Sequence, residues 1–203
     1  MLLLYSIAIG LILGRLLGGR VRNLEHVHFA WWGLALAGFA VQLVLFAGPV
    51  ATRIGDIGRP IYVISTVVVL LALLRNIRLP GLSILALGAG LNLVAILANG
   101  GQMPSDPNAW LALTGVAALP VSHFTNVVLM GPDTVLPFLG DIFVWPRPLP
   151  MATVFSIGDA IIAVGGVVFL VAAMRSPDPA FDASAHDTDD DPDATELVPA
   201  STR

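Results

Sequence analysis

Near-unbroken apolar runs of roughly 16 to 20 residues recur along this chain, and that length constrains the fold more than any motif does. A soluble core breaks its apolar residues at helical or strand period. A helix crossing about 30 Å of hydrocarbon at roughly 1.5 Å per residue needs a run of this length instead. The mean hydropathy of +0.85 and a charged fraction of 12% in 203 residues lead to the same conclusion. The sequence therefore predicts an all-α, polytopic helical membrane protein with about five transmembrane helices plus a short re-entrant or interfacial helix.

The spans are expected at about residues 2–18, 29–50, 60–74, 79–98 and 154–174, within a transmembrane domain of residues 1–175. The first has neither a basic leader nor a small-residue cleavage site before the next polar stretch, and is read as retained. Gly10, Gly14 and Gly18 line one face of it and allow close approach of another helix, in this chain or in a partner. Trp31 and Trp32 open the second span, where amphipathic rings favour the headgroup region. Pro60 is compatible with the first turn of the third, and Asn99-Gly100-Gly101 is a turn signal that stops the fourth.

Residues 99–153 are proline-rich and irregular. Their apolar stretch Asn108–Leu119 would cover only about 18 Å as a helix, too little to cross. An alternative parse makes 110–130 a sixth, broken span, at the cost of placing His123 and Asn126 near its middle. Residues 176–203 carry one Arg against eight acids and are expected to form a disordered acidic tail. With five spans and an outside N-terminus, Arg15, Arg20, Arg22, Arg75, Arg78 and Arg175 fall inside and Arg53, Arg59 and Arg147 outside. This bias predicts a multi-pass protein of the bacterial cytoplasmic membrane, N-terminus out and C-terminus in, with residues 99–153 on the outer side.

The absence of Cys removes disulfides, thiolate metal sites and thiol nucleophiles. Outside the tail, Asp141 and Asp159 are the acids with the most apolar surroundings. Two carboxyls that meet at a membrane boundary can share a proton and act as general base and general acid, so these are the candidate catalytic residues. Ser156-Ile-Gly-Asp159 also fits a helix-capping pattern, and Asp141 after Gly140 fits a turn. Asn99, Gly100, Gly101 and His123 are candidate substrate-binding residues through freed backbone donors and side-chain polarity; a helix-ending turn and an interfacial His are the structural alternatives. Gln42 and Asn92 read as interhelical hydrogen-bond partners, and His26 and His28 as a loop face. No metal site, cofactor or nucleic-acid partner is expected. The expected partners are the lipid bilayer and a membrane or cytoplasmic protein engaged through the Gly10, Gly14, Gly18 face or the tail.

The GGR-x-R-N opening (Gly18 to Asn23), the WW pair, L-P-G-L before the fourth span, A-N-G-G-Q-M-P (Ala98 to Pro104), L-P-F-L-G-D (Leu136 to Asp141) and F-S-I-G-D (Phe155 to Asp159) together resemble an uncharacterised bacterial family of small polytopic membrane proteins. That resemblance covers about residues 1–175 and implies fold and location. Locally, Phe155 to Gly165 is similar to the F-N-x-A-D-x-x-I-x-x-G segment of lipoprotein signal peptidase. This implies a catalytic role for Asp159 and, at the upstream position, for Asp141 in Asp141-Ile-Phe; Ser156 stands where that family has Asn. Two functions remain open from the sequence: a non-enzymatic or accessory membrane component, and a membrane aspartyl peptidase-like hydrolase. A small solute carrier is a third.

Overall fold

The computed structural model describes residues 2–116, 126–147 and 150–176. The chain is mostly helical: α1 (Leu2–Leu16), α2 (Trp32–Leu45), the single turn α3 (Gly48–Ala51), α4 (Gly58–Arg75), α5 (Leu82–Ala98), α6 (Pro107–Thr114) and α7 (Ile157–Arg175). Among the described residues two segments, Gly55–Arg75 and Ile157–Arg175, are long and apolar enough to cross a membrane, and α1, α2 and α5 are shorter apolar helices.

Local chemistry trims the apolar runs. Trp31 sits in the left-handed region (φ 62°), so the second helix begins at Trp32; Gly48-Pro49 then starts a separate turn, so it stops at Leu45 rather than near residue 50. Gly81 (φ 84°) occupies a backbone conformation that favours glycine, and it holds α5 back to Leu82. In the 99–153 segment, Asp106 caps α6 by accepting from the Ala109 N–H at 3.1 Å. Gly115 in the left-handed region ends that helix after eight residues.

The same segment departs from an all-helical expectation. Strand β1 (Met103–Ser105) pairs in parallel with β2 (Val127–Leu129), and β3 (Phe143–Trp145) pairs antiparallel with β4 (Thr153–Phe155). Because Val127–Leu129 is a strand and α6 ends at Thr114, residues 110–130 are not one continuous helix.

The long helices form a row in the order α1, α7, α5, α4, α2. Helices α1 and α7 run parallel, since Gly166 meets Ser6, Gly10 meets Leu170 and Gly14 meets Met174. Helix α5 runs antiparallel to α7: Gly81 lies against Phe169, and Gly88 against Ile162. Helix α2 is antiparallel to α4, with Gln42 donating to Thr66 Oγ1 at 3.3 Å and Phe46 edge-on to Tyr62. Small residues at Ser6, Gly10, Gly14, Gly88, Gly158 and Gly165 bring the backbones together where a larger side chain would collide.

This order places the starts of α1, α4 and α7 and the ends of α2 and α5 at one end of the row, beside both small sheets. The opposite end is tied by polar contacts. The Asn23 amide donates to the carbonyls of Met174 (2.9 Å) and Ser176 (2.7 Å), while Asn76 exchanges hydrogen bonds with the Ala30 backbone, both at 2.7 Å. Arg15, Arg75 and Arg175 lie in the last turns of α1, α4 and α7, at that opposite end.

Candidate functional site

The first turn of α7 is a closed hydrogen-bond circuit. Ser156 is the N-cap: its hydroxyl accepts from the Asp159 N–H at 3.0 Å, and the Asp159 carboxylate accepts from the Ser156 N–H at 3.2 Å, which completes a capping box. Asn92 of α5 joins both members, donating to Asp159 Oδ1 at 2.8 Å and accepting from the Ser156 hydroxyl at 2.8 Å. Gly158 makes room for it, because a Cβ there would coincide with the Asn92 carbonyl oxygen. The capping pattern legible in F-S-I-G-D is thus also the joint between α5 and α7.

Asp141 is positioned from the sheet side. Its N–H donates to the Pro104 carbonyl at 2.8 Å, and its carbonyl accepts from the Asp106 N–H at 3.0 Å, so it bridges to Ser105 on the edge of β1 away from β2. Gly140 permits this approach, since a Cβ there would collide with the Pro104 carbonyl and the Met130 methyl. The residue is only 9% exposed. Among the described residues none donates a hydrogen bond to its carboxylate. Burial, and secondarily the Asp159 carboxylate, push the Asp141 carboxyl up to about 7, so it changes charge near neutrality.

Both acids line one cavity of about 420 Å³. All five long helices contribute to its wall, which is mostly apolar. Among the described residues the other polar groups on it are Gln42, Tyr62, Thr66, Asn92 and Asn126; Asn126 donates to the Tyr62 hydroxyl at 3.3 Å. A second, smaller cavity of about 140 Å³ lies between α1, β4 and α7 and shares Leu3, Asp159 and Ile162 with the first. This arrangement can bind a small molecule by apolar contact and fix its orientation by a few polar groups. Asp141 can also take up or release a proton there. Among the described residues no group of three or more His, Cys, Asp or Glu is placed to hold a metal ion.

Asp141 and Asp159, 18 positions apart in the sequence, therefore come to the same space. The other sequence candidates lie elsewhere. The Asn99 side chain spans the end of α5 and the loop before residue 137: its amide donates to Ala95 and Val135 carbonyls, each at 2.8 Å, and its carbonyl accepts from the Val135 N–H at 3.0 Å. Gly100 (φ 68°) and Gly101 (φ 84°) make the turn after α5, outside the cavity lining. His123 and residues 177–203 of the expected tail lie outside the described residues. Gly10 and Gly14 are packed by α7 of the same chain, while Gly18 has open space around it. His26 and His28 line a third cavity of about 240 Å³ at the arginine-bearing end of the row.

Tyr62, Thr66 and Asn126 were not among the sequence candidates. Tyr62 and Thr66 stand four apart at the start of an apolar run, a spacing that puts them on one helix face. Asn126 had only its polarity within an apolar neighbourhood to mark it.

A helical, strongly apolar chain with two acids and, among the described residues, five further polar side chains around a cavity between its helices defines the class as far as fold and site go. The chain belongs to the DUF5317 family, a family of unknown function, whose sequence profile matches residues 26–171. The match runs from before α2 into α7 and includes every described residue of the cavity wall except Leu3. No curated protein and no solved structure matches the chain.

Proposed function

We propose that this chain is a five-span protein of the bacterial cytoplasmic membrane, N-terminus outside, that works as a non-enzymatic binding component with its ligand site in the outer half of the bilayer. The observation that carries the reading is the cavity shared by all five long helices, mostly apolar yet lined by Asp141 and Asp159. The five-span arrangement draws support from the alternating directions of α1, α2, α4, α5 and α7. It also draws support from broad apolar exposure along them, as at Leu43 (76%), Ile64 (62%) and Leu87 (57%). Arg15, Arg75 and Arg175 lie at the end opposite Asp159 and Asp141, which orients the acid-bearing end of the cavity outward.

The chain contains no Cys, so single cysteines report accessibility without background. In intact cells, Thr66→Cys should react with a membrane-impermeant thiol reagent added outside, whereas Leu87→Cys, on the lipid-facing surface, should not. An unreactive Thr66→Cys in a folded protein contradicts an outward-connected cavity.

A second reading, an aspartyl hydrolase, is favoured by the presence of both acids on one cavity wall. In it Asp141 and Asp159 activate water between them. It demands that Asp141→Asn and Asp159→Asn each fail to restore the phenotype of a deletion; full rescue by either removes it. The binding reading is preferred because both Asp159 oxygens already accept hydrogen bonds, from Asn92 and from the Ser156 N–H.

A further inference from the structure

The two acids in the cavity wall have different partners. Asp159 is satisfied by Asn92 and by the Ser156 backbone. Asp141 is nine-tenths buried, faces the same space, and has no hydrogen-bond donor among the described residues. Among the described residues, none that lines the cavity is basic. A buried carboxylate without a counter-charge is costly, and its two low-cost states are protonation and pairing with a cation that enters from outside.

We propose that the cavity takes an amphipathic monocation, a protonated or quaternary amine on an apolar body, whose charge sits against the Asp141 carboxylate. This rests on the binding reading above and names the ligand class for that site. An inorganic ion fits poorly, since a hard cation needs about six oxygen ligands and most of this wall is apolar. An organic cation matches both parts: Phe39 and Tyr62 stand among the aliphatic residues for its body, and the acids provide for its charge. The smaller cavity at Leu3 and Ile162 extends the space past Asp159 and gives a longer body room.

Protons and the ligand then compete for Asp141. Among the described residues, the titratable groups on the elements packed around it are Tyr62 of α4, Asp159 of α7 and Asp106, the N-cap of α6; Arg59, at the start of α4, is exposed and pairs with Asp56 at 3.6 Å. With the Asp141 carboxyl at about 7, affinity for a permanently charged ligand should fall as pH drops below that value.

The test is calorimetric binding of benzyltrimethylammonium, and of its uncharged isostere neopentylbenzene, to the full chain in nanodiscs, with protein-free nanodiscs subtracted. The expected result is that the cation binds in preference to the isostere, and roughly a hundredfold more weakly at pH 5 than at pH 8. Asp141→Asn should bind at least tenfold more weakly at pH 8 and show no pH dependence. The pH profile of the unaltered chain stands even if that variant misfolds. Equal binding of cation and isostere, or a flat profile in the unaltered chain, overturns the cation proposal and leaves the cavity reading standing. Binding of neither also overturns it, and Thr66→Cys reactivity then decides whether the cavity reading falls with it.

Discussion

The Asn92 amide of α5 donates to the Asp159 carboxylate of α7 at 2.8 Å, and the same side chain accepts from Ser156 at 2.8 Å. One residue thereby ties α5 to the first turn of α7 and holds one acid in the cavity wall. Loss of this joint should be costly in two separable ways. Asn92→Ala removes the bonds and should destabilise the chain by about 1–2 kcal/mol, the scale of interhelical hydrogen bonds in bilayers. Gly158→Ala instead inserts a methyl where the Asn92 carbonyl oxygen sits, and should cost about 1–3 kcal/mol by overpacking. Thermal unfolding in detergent, followed by circular dichroism, checks both; unchanged midpoints contradict the joint.

The α1–α7 pair depends on small residues at the four-residue spacing Ser6, Gly10 and Gly14. Leu170 and Met174 occupy the space a larger side chain would need. Gly10→Leu and Gly14→Leu should each separate the helices, with a loss of roughly 2 kcal/mol or more. Gly18→Leu meets no packing obstacle, but its φ of 83° makes it strained for a different reason. Limited proteolysis at the start of α1 should accelerate in the first two variants.

Asp141 should make stability fall with rising pH. Its carboxyl stands at about 7 against an ordinary value of 3.8, so between those values the folded chain binds more protons than the unfolded chain. The contribution is favourable at low pH, is lost as pH climbs to about 7, and levels off above it. Asp141→Asn should abolish this slope and raise the stability at pH 8 by a few kcal/mol at most, on the order of the pKa difference, read as a higher melting temperature. Melting curves of both proteins at pH 5 and pH 8 are the check.

The legible part of this molecule is the part set by local sequence. Apolar runs, the turn at Asn99-Gly100-Gly101 and the capping pattern of Ser156 and Asp159 depend on neighbours within a few positions. The strands did not announce themselves, because Met103–Ser105 and Val127–Leu129 are three residues each and exist only through pairing across more than 20 positions. The position of Asp141 depends on a bridge to Ser105, 36 positions away, so no local pattern could bring it to Asp159. The glycine face of α1 was readable as a packing surface, but which helix it would meet was not; α7 takes it at Gly10 and Gly14. Gln42 and Asn92 stood out as polar residues in apolar helices, and their partners, Thr66 and Asp159 with Ser156, came only from the three-dimensional arrangement.

The five-span orientation predicts a cytoplasmic C-terminus. A fluorescent protein fused after Arg203 should fluoresce, and alkaline phosphatase at the same position should be inactive. Active phosphatase reverses the orientation and moves the cavity to the cytoplasmic side.

Asp141 is a buried acid that changes charge near neutrality and shares its cavity with Asp159. Carbon-13 resonance of labelled aspartate carboxyls in the full chain, titrated from pH 4 to pH 9, measures this directly. One carboxyl should titrate at about 7, vanish in Asp141→Asn, and move to lower pH in Asp159→Asn as the neighbouring charge is removed. A spectrum in which every aspartate titrates below about pH 5, the ordinary carboxylate range, contradicts the account.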